Sequence, residues 1–205
     1  YHFKDFVLKK KKSEILNESV SLCPPTLFES LSGQYIELIK EAESNGSKQF
    51  VVAKNLIEGI EPFQQNTQLG IKYLTKSIES DINEAKFYYS RMLIDGNLIP
   101  EDLELALSIL SESSIADEPE TSLLLGKIEY KKRNFEIAKD YFIKASKKGN
   151  GESMFLYASM LMKGEGVAVD NDEALRNFTL AIKNGYKEKP LQIKVSQQQQ
   201  QPPPQ

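Results

Sequence analysis

Apolar and small residues recur at helical spacing between Thr26 and Glu188, and they do so in blocks. Small residues at Gly70, Ala106, Ala138 and Ala174 stand 36, 32 and 36 positions apart. Four residues after each comes a large apolar side chain: Leu74, Leu110, Phe142 and Phe178. Seven residues after comes another small one: Ser77, Ser113, Ala145 and Ala181. Offsets of four and seven lie on one helix face, so each block predicts a helix whose small residues admit a close neighbour. A second helix precedes each, with its small position at Ala53, Ser90, Gly126 and Ala158. Three residues before these stand Phe50, Phe87, Leu123 and Phe155; three after stand Leu56, Leu93 and Leu161, with Glu129 the exception. The unit is helix, turn, helix, repeated four times, over about 47–82, 83–118, 119–150 and 151–188. A further helix over 33–46, carrying Ala42, reads as a cap over the first pair.

The segment GEGVAVDNDEALRNF, Gly164 to Phe178, carries the punctuation of one such pair. Gly164 closes the first helix in a left-handed conformation that costs glycine nothing, and Gly166 lets the chain reverse. Asp170 is placed as the N-cap of the second helix, with Glu173 completing a capping box. A calcium loop is excluded because its third ligand position is Ala174, and a dinucleotide fingerprint because a third glycine and a preceding strand are lacking.

The ends differ from this repeat domain of residues 26–188. Residues 1–25 hold the lysine run Lys9 to Lys12 and stop at Pro24-Pro25, and read as a linker or the remnant of a preceding domain. Residues 189–205 end in QQQQQPPPQ, whose composition predicts a disordered tail. The net charge of -3 argues against a general nucleic-acid or membrane-surface binder. No apolar run reaches the ~18 residues of a membrane-spanning helix.

With these positions in place, Ser153 to Gly185 resembles a Sel-1-like repeat, a relative of the tetratricopeptide repeat with a longer loop. The matching features are Ala158, the G-x-G-V turn Gly164 to Val167, Asp170, Glu173-Ala174, Phe178, Ala181 and Gly185. The unit at Ala85 to Ser113 keeps Gly96 of that turn, and the unit at Lys48 to Ile78 keeps Gly59 followed by Pro62. In the unit at Thr121 to Gly149 the loop shortens to KKRN, closer to a tetratricopeptide unit. The resemblance implies an all-α, right-handed α-solenoid of antiparallel helix pairs that binds other proteins as an adaptor or scaffold, without catalysis or cofactor. It leaves two alternatives: the regulatory arm of a larger signalling protein, such as a kinase-linked chain, and a subunit of an endoplasmic-reticulum degradation complex.

Candidate chemistry is sparse. His2 is the single histidine and Cys23 the single cysteine, so a disulfide, a metal cluster or a histidine-based triad lacks partners. The acid pairs Glu41/Glu43 and Glu118/Glu120 show no apolar surround to raise a pKa, so the chain reads as a non-enzyme. Lone-cysteine usage fits a cytoplasmic location. The glycosylation triplets at Asn17, Asn45 and Asn177 keep the endoplasmic-reticulum lumen as the alternative.

The candidate partner-binding residues are Lys54, Arg91, Lys127 and Ser159, one position after the small residue of each first helix. Equivalent positions in stacked repeats form a row about 10 Å apart, which could hold an acidic peptide through charge-assisted bonds. Seven residues earlier stand Ser47, Glu84, Glu120 and Glu152. Pairing of the two rows between neighbouring repeats is therefore the competing reading, and the preferred one. The row Phe50, Phe87, Leu123 and Phe155 reads as core.

Overall fold

The computed structural model describes residues 33–61, 63–112 and 115–187, with side chains from residue 36 onward. Among these residues every regular element is helical. The helices are α1 (Gly33–Ala42), α2 (Gly46–Glu58), α3 (Thr67–Glu79), α4 (Asn83–Asp95), α5 (Leu103–Leu110), α6 (Pro119–Lys131), α7 (Phe135–Lys147), α8 (Gly151–Lys163) and α9 (Asn171–Lys183). Two compact units divide the chain, Tyr1–Ile128 and Glu129–Gln205. The linker, the lysine run, His2, Cys23, Asn17, Pro62, Ser113 and the Gln/Pro tail lie outside the described residues.

Side-chain caps set the helix starts. Asn45, Asn66, Asp102, Asn150 and Asp170 each accept the backbone N–H three residues on, at the start of α2, α3, α5, α8 and α9. Each such bond satisfies a donor that the helix itself leaves unpaired. The cap on α9 differs from the expected box. Asp170 Oδ1 accepts from the Glu173 N–H at 2.8 Å, while the Glu173 carboxylate accepts from the Tyr157 hydroxyl at 3.2 Å. The Asp170 N–H already donates to the Leu161 carbonyl, so nothing remains for Glu173 to satisfy there. The first helix is also shorter than expected, ending at Ala42 rather than residue 46. Gly46 instead opens α2, because Asn45 caps that helix.

In the first unit the small positions let backbones meet. Ala53, Ser90 and Ala106 are fully buried. A methyl group on Gly70 would stand 3.0 Å from the Ala53 carbonyl and 2.5 Å from Ile57. The Ser77 hydroxyl donates to the Gly46 carbonyl at 2.7 Å, tying α3 to the start of α2. Leu56, Leu74, Leu93 and Leu110 fill the same core, with Phe50 and Phe87 packed on it.

In the second unit Ala158, Leu161, Ala174 and Phe178 form the equivalent cluster, with Phe155 against it. Ala138, Ala145 and Ala181 are fully buried, and Phe142 nearly so. Gly164 closes α8 at φ 70°, its N–H on the Met160 carbonyl. Gly166 at φ 68° does more than turn the chain. A methyl group there would lie 2.6 Å from the Phe135 carbonyl carbon, so the loop rests directly on the first turn of α7.

Candidate partner-binding face

The first helix of each pair carries the residues in question. Lys54 stands exposed on α2, one turn after Phe50 and one turn before Glu58, and no ion pair to it forms among the described residues. From α4 the Tyr88 ring meets Phe50 edge-on at 5.8 Å, and its hydroxyl donates to Glu58 Oε1 at 3.1 Å. Burial, then the Glu58 carboxylate beside it, push the Tyr88 phenol far above its ordinary value. Val51 completes this surface at 41% exposure.

Arg91, also on α4, donates to Glu120 Oε1 on α6, the acidic position of the following pair. Both side chains are about one-third exposed or less (35% and 27%), so the contact sits between the exposed and buried classes of ion pair. Lys127 is half-buried on α6 and Gly126 fully so. Ser159 on α8 turns its hydroxyl back to the Phe155 carbonyl at 3.0 Å. The four positions are thus unlike: Lys54 is exposed, Arg91 is engaged by a neighbouring helix, Lys127 is half-buried, and Ser159, in the second unit, is bonded within its own helix.

Of the acid pairs, Glu41 meets Lys48 at 3.2 Å and Glu120 meets Arg91. Asn177 donates to the Glu173 carbonyl at 3.0 Å, and Asn45 is engaged as a helix cap. Among the described residues no group of three His, Cys, Asp or Glu side chains could hold a metal, and no helix is long and apolar enough to cross a membrane.

Sequence spacing did not disclose Lys86. On α4 its side chain is 1% exposed, and its ammonium bridges Asp81, in the loop before α4, and Glu112, just past α5 (2.6 Å). Burial alone would lower its pKa; the hydrogen bonds and charges of the two carboxylates outweigh that and raise it. Asp81 sits at φ 62°, at the place in its turn where Gly149 and Gly185 stand after α7 and α9 (φ 85° and 84°). The ion pair offsets the strain that a side chain meets there. No spacing rule connects residues 81, 86 and 112; the fold brings them together.

Five segments match the family pattern described as Sel1 repeat: residues 49–82, 73–97, 83–114, 123–150 and 151–186. The chain belongs to the Sel1 repeat family. Four of these matches each coincide with one helix pair, and the fifth bridges α3 and α4. The fold agrees. A protective antigen from uropathogenic Escherichia coli strains, displaying an SLR fold, superposes with TM-score 0.59 at 17% identity over 73% of this chain and 33% of its own. A Sel1 repeat protein from Oxalobacter formigenes superposes with TM-score 0.57 at 13% identity, over 78% of this chain and 63% of its own. This chain therefore spans about one-third and under two-thirds of those structures, and its architecture is the all-α helix-pair solenoid class of Sel1 repeats. No curated protein sequence matches it.

Proposed function

We propose that this Sel1 repeat chain is a non-catalytic adaptor that holds an extended segment of another protein on its first-helix face. Sel1 repeats generally mediate protein–protein contact, and stacked pairs present successive side chains to a partner along one surface. Lys54 carries the reading: it is an exposed cation beside exposed Val51 and the Tyr88–Glu58 pair, with no ion pair formed to it among the described residues. An acidic group in the partner would gain a charge-assisted bond there. Arg91 and Lys127 are further candidates within the first unit, and Ser159 is the equivalent position in the second. Arg91 can serve a partner only by exchanging Glu120, so Lys54 discriminates between readings.

The test presents the full chain and its Lys54→Glu variant to a library of extended peptides. Enrichment of carboxylate-bearing peptides by the parent, lost in the variant, is the expected result. Equal enrichment by both removes Lys54 from the site, and no enrichment by either removes the face.

A further inference from the structure

Glu58 is the last residue of α2, where the negative end of the helix dipole disfavours a carboxylate. Two donors of the first unit compete for it. One is Lys54, one turn back on the same helix, at the spacing where opposite charges pair. The other is the Tyr88 hydroxyl, reaching across from α4. The ammonium is the stronger electrostatic partner, yet the hydroxyl is the one engaged, at 3.1 Å. Lys54 forms no ion pair among the described residues.

The difference lies in what each donor gives up. The Tyr88 ring packs on the core of the unit and meets Phe50 edge-on at 5.8 Å, so its hydroxyl is already held in place. Burial, then the Glu58 carboxylate, keep the proton on the phenol, so the hydroxyl stays a donor. Lys54 is exposed, and closing on Glu58 would order a long side chain for a bond that water screens. A lysine placed N-terminal to its glutamate is also the weaker order of such a pair.

We infer that Tyr88 is a positioning residue for the Lys54 site: it holds Glu58 one turn away, so that the ammonium stays open and the site takes a single acid, not an acidic run. The ligand rests on the adaptor reading of this face; the role of Tyr88 rests on the α2–α4 geometry alone. Glu58 lies about 6 Å from Lys54 along the helix axis, and Phe50 about 6 Å the other way. In an extended segment lying along α2, side chains on one face recur about 6.6 Å apart. An acid bound at Lys54 therefore sets one same-face neighbour over Glu58 and the other over Phe50. A second acid meets like charge in the first place and an apolar ring in the second.

Two extended peptides test the specificity: one with a single glutamate among alanines, and one with glutamate at both flanking same-face positions as well. General attraction to a basic surface would favour the second. Titration calorimetry with the full chain is expected to show the single-acid peptide bound about threefold tighter, and Glu58→Gln removes the preference. Tyr88→Phe, with helicity intact, weakens the single-acid peptide about twofold, because Glu58 then closes on Lys54. The Tyr88→Phe/Glu58→Gln double variant restores it. Acetic anhydride labelling of Lys54, mapped by mass spectrometry, reads the same competition without a partner: Tyr88→Phe slows it, and the double variant restores it. Unchanged labelling in Tyr88→Phe overturns the role of Tyr88, whether or not a peptide binds. Tighter binding of the acid-run peptide, or a preference that survives Glu58→Gln, overturns the single-acid specificity. Slowed labelling with neither peptide bound supports Tyr88 and removes the adaptor reading of this face. Binding lost in Lys54→Glu but unchanged in Tyr88→Phe does the reverse.

Discussion

The Lys86 ammonium offers the sharpest test of how the first unit is held. Lys86→Met keeps most of the buried stem and removes the charge. Taking one partner from a fully buried ion pair costs about 3–5 kcal/mol. Here the carboxylates left behind can regain water, since the Asp81 and Glu112 side chains are 73% and 31% exposed. That discount brings the expected loss to about 1–2 kcal/mol. Lys86→Ala also strips three buried methylenes at roughly 0.8 kcal/mol each, for a total of about 3–4 kcal/mol. Urea unfolding at neutral pH, followed by far-ultraviolet circular dichroism, reads both. Asp81→Asn supplies the control, because asparagine tolerates the left-handed backbone while lacking the charge. A double-mutant cycle should then return about 1 kcal/mol of coupling between positions 81 and 86. A Lys86→Met variant as stable as the parent, or a cycle with no coupling, would refute the clamp.

Three further outcomes follow from the same structure. Asp81 and Arg133 share φ 62°, yet glycine should act oppositely at the two. Arg133→Gly should stabilise by up to about 1 kcal/mol through strain relief, whereas Asp81→Gly should destabilise by breaking the Lys86 pair; urea midpoints decide the signs. Gly166→Ala should cost about 2–4 kcal/mol, from left-handed strain plus the contact with Phe135, read from the same transitions. Lys86, Tyr88, Tyr89, Tyr130 and Tyr157 all have raised pKa values. The folded chain then holds more protons than the unfolded one above the ordinary tyrosine value of about 10, so stability falls as pH rises past it and shows no slope from these groups below. Tm measured from about pH 8 to about pH 11 checks this, and Lys86→Met should flatten part of the fall.

The helix pairs were legible because their small residues obey the packing geometry of helices, which spacing records directly. Gly164, Gly166 and Asp170 were legible for the same local reason: each meets a need of its own turn. Glu173 was misread because a local rule met a tertiary competitor, the Tyr157 hydroxyl. The boundary after Ala42 was misread because a glycine beyond a helix resembles a stop, while Asn45 had made Gly46 a start. The Arg91–Glu120 contact followed from matching the acidic and basic rows, but which members meet depends on exposure that the rows do not carry. Lys86 was invisible, since its carboxylates come from two loops.

The charged substitute for glycine at Asp81 has a consequence for how this repeat can change over generations. With glycine there, the lysine at 86 would keep Glu112 as its one carboxylate of this pair; with aspartate, it has both. A lineage could reach the present state with lysine first and aspartate second, each step tolerated. The order of reversal matters: losing the aspartate first passes back through that same intermediate, whereas losing the lysine first strands two acids beside a strained turn. Copying the second helix pair to extend such an array would require moving residues 81, 86 and 112 together.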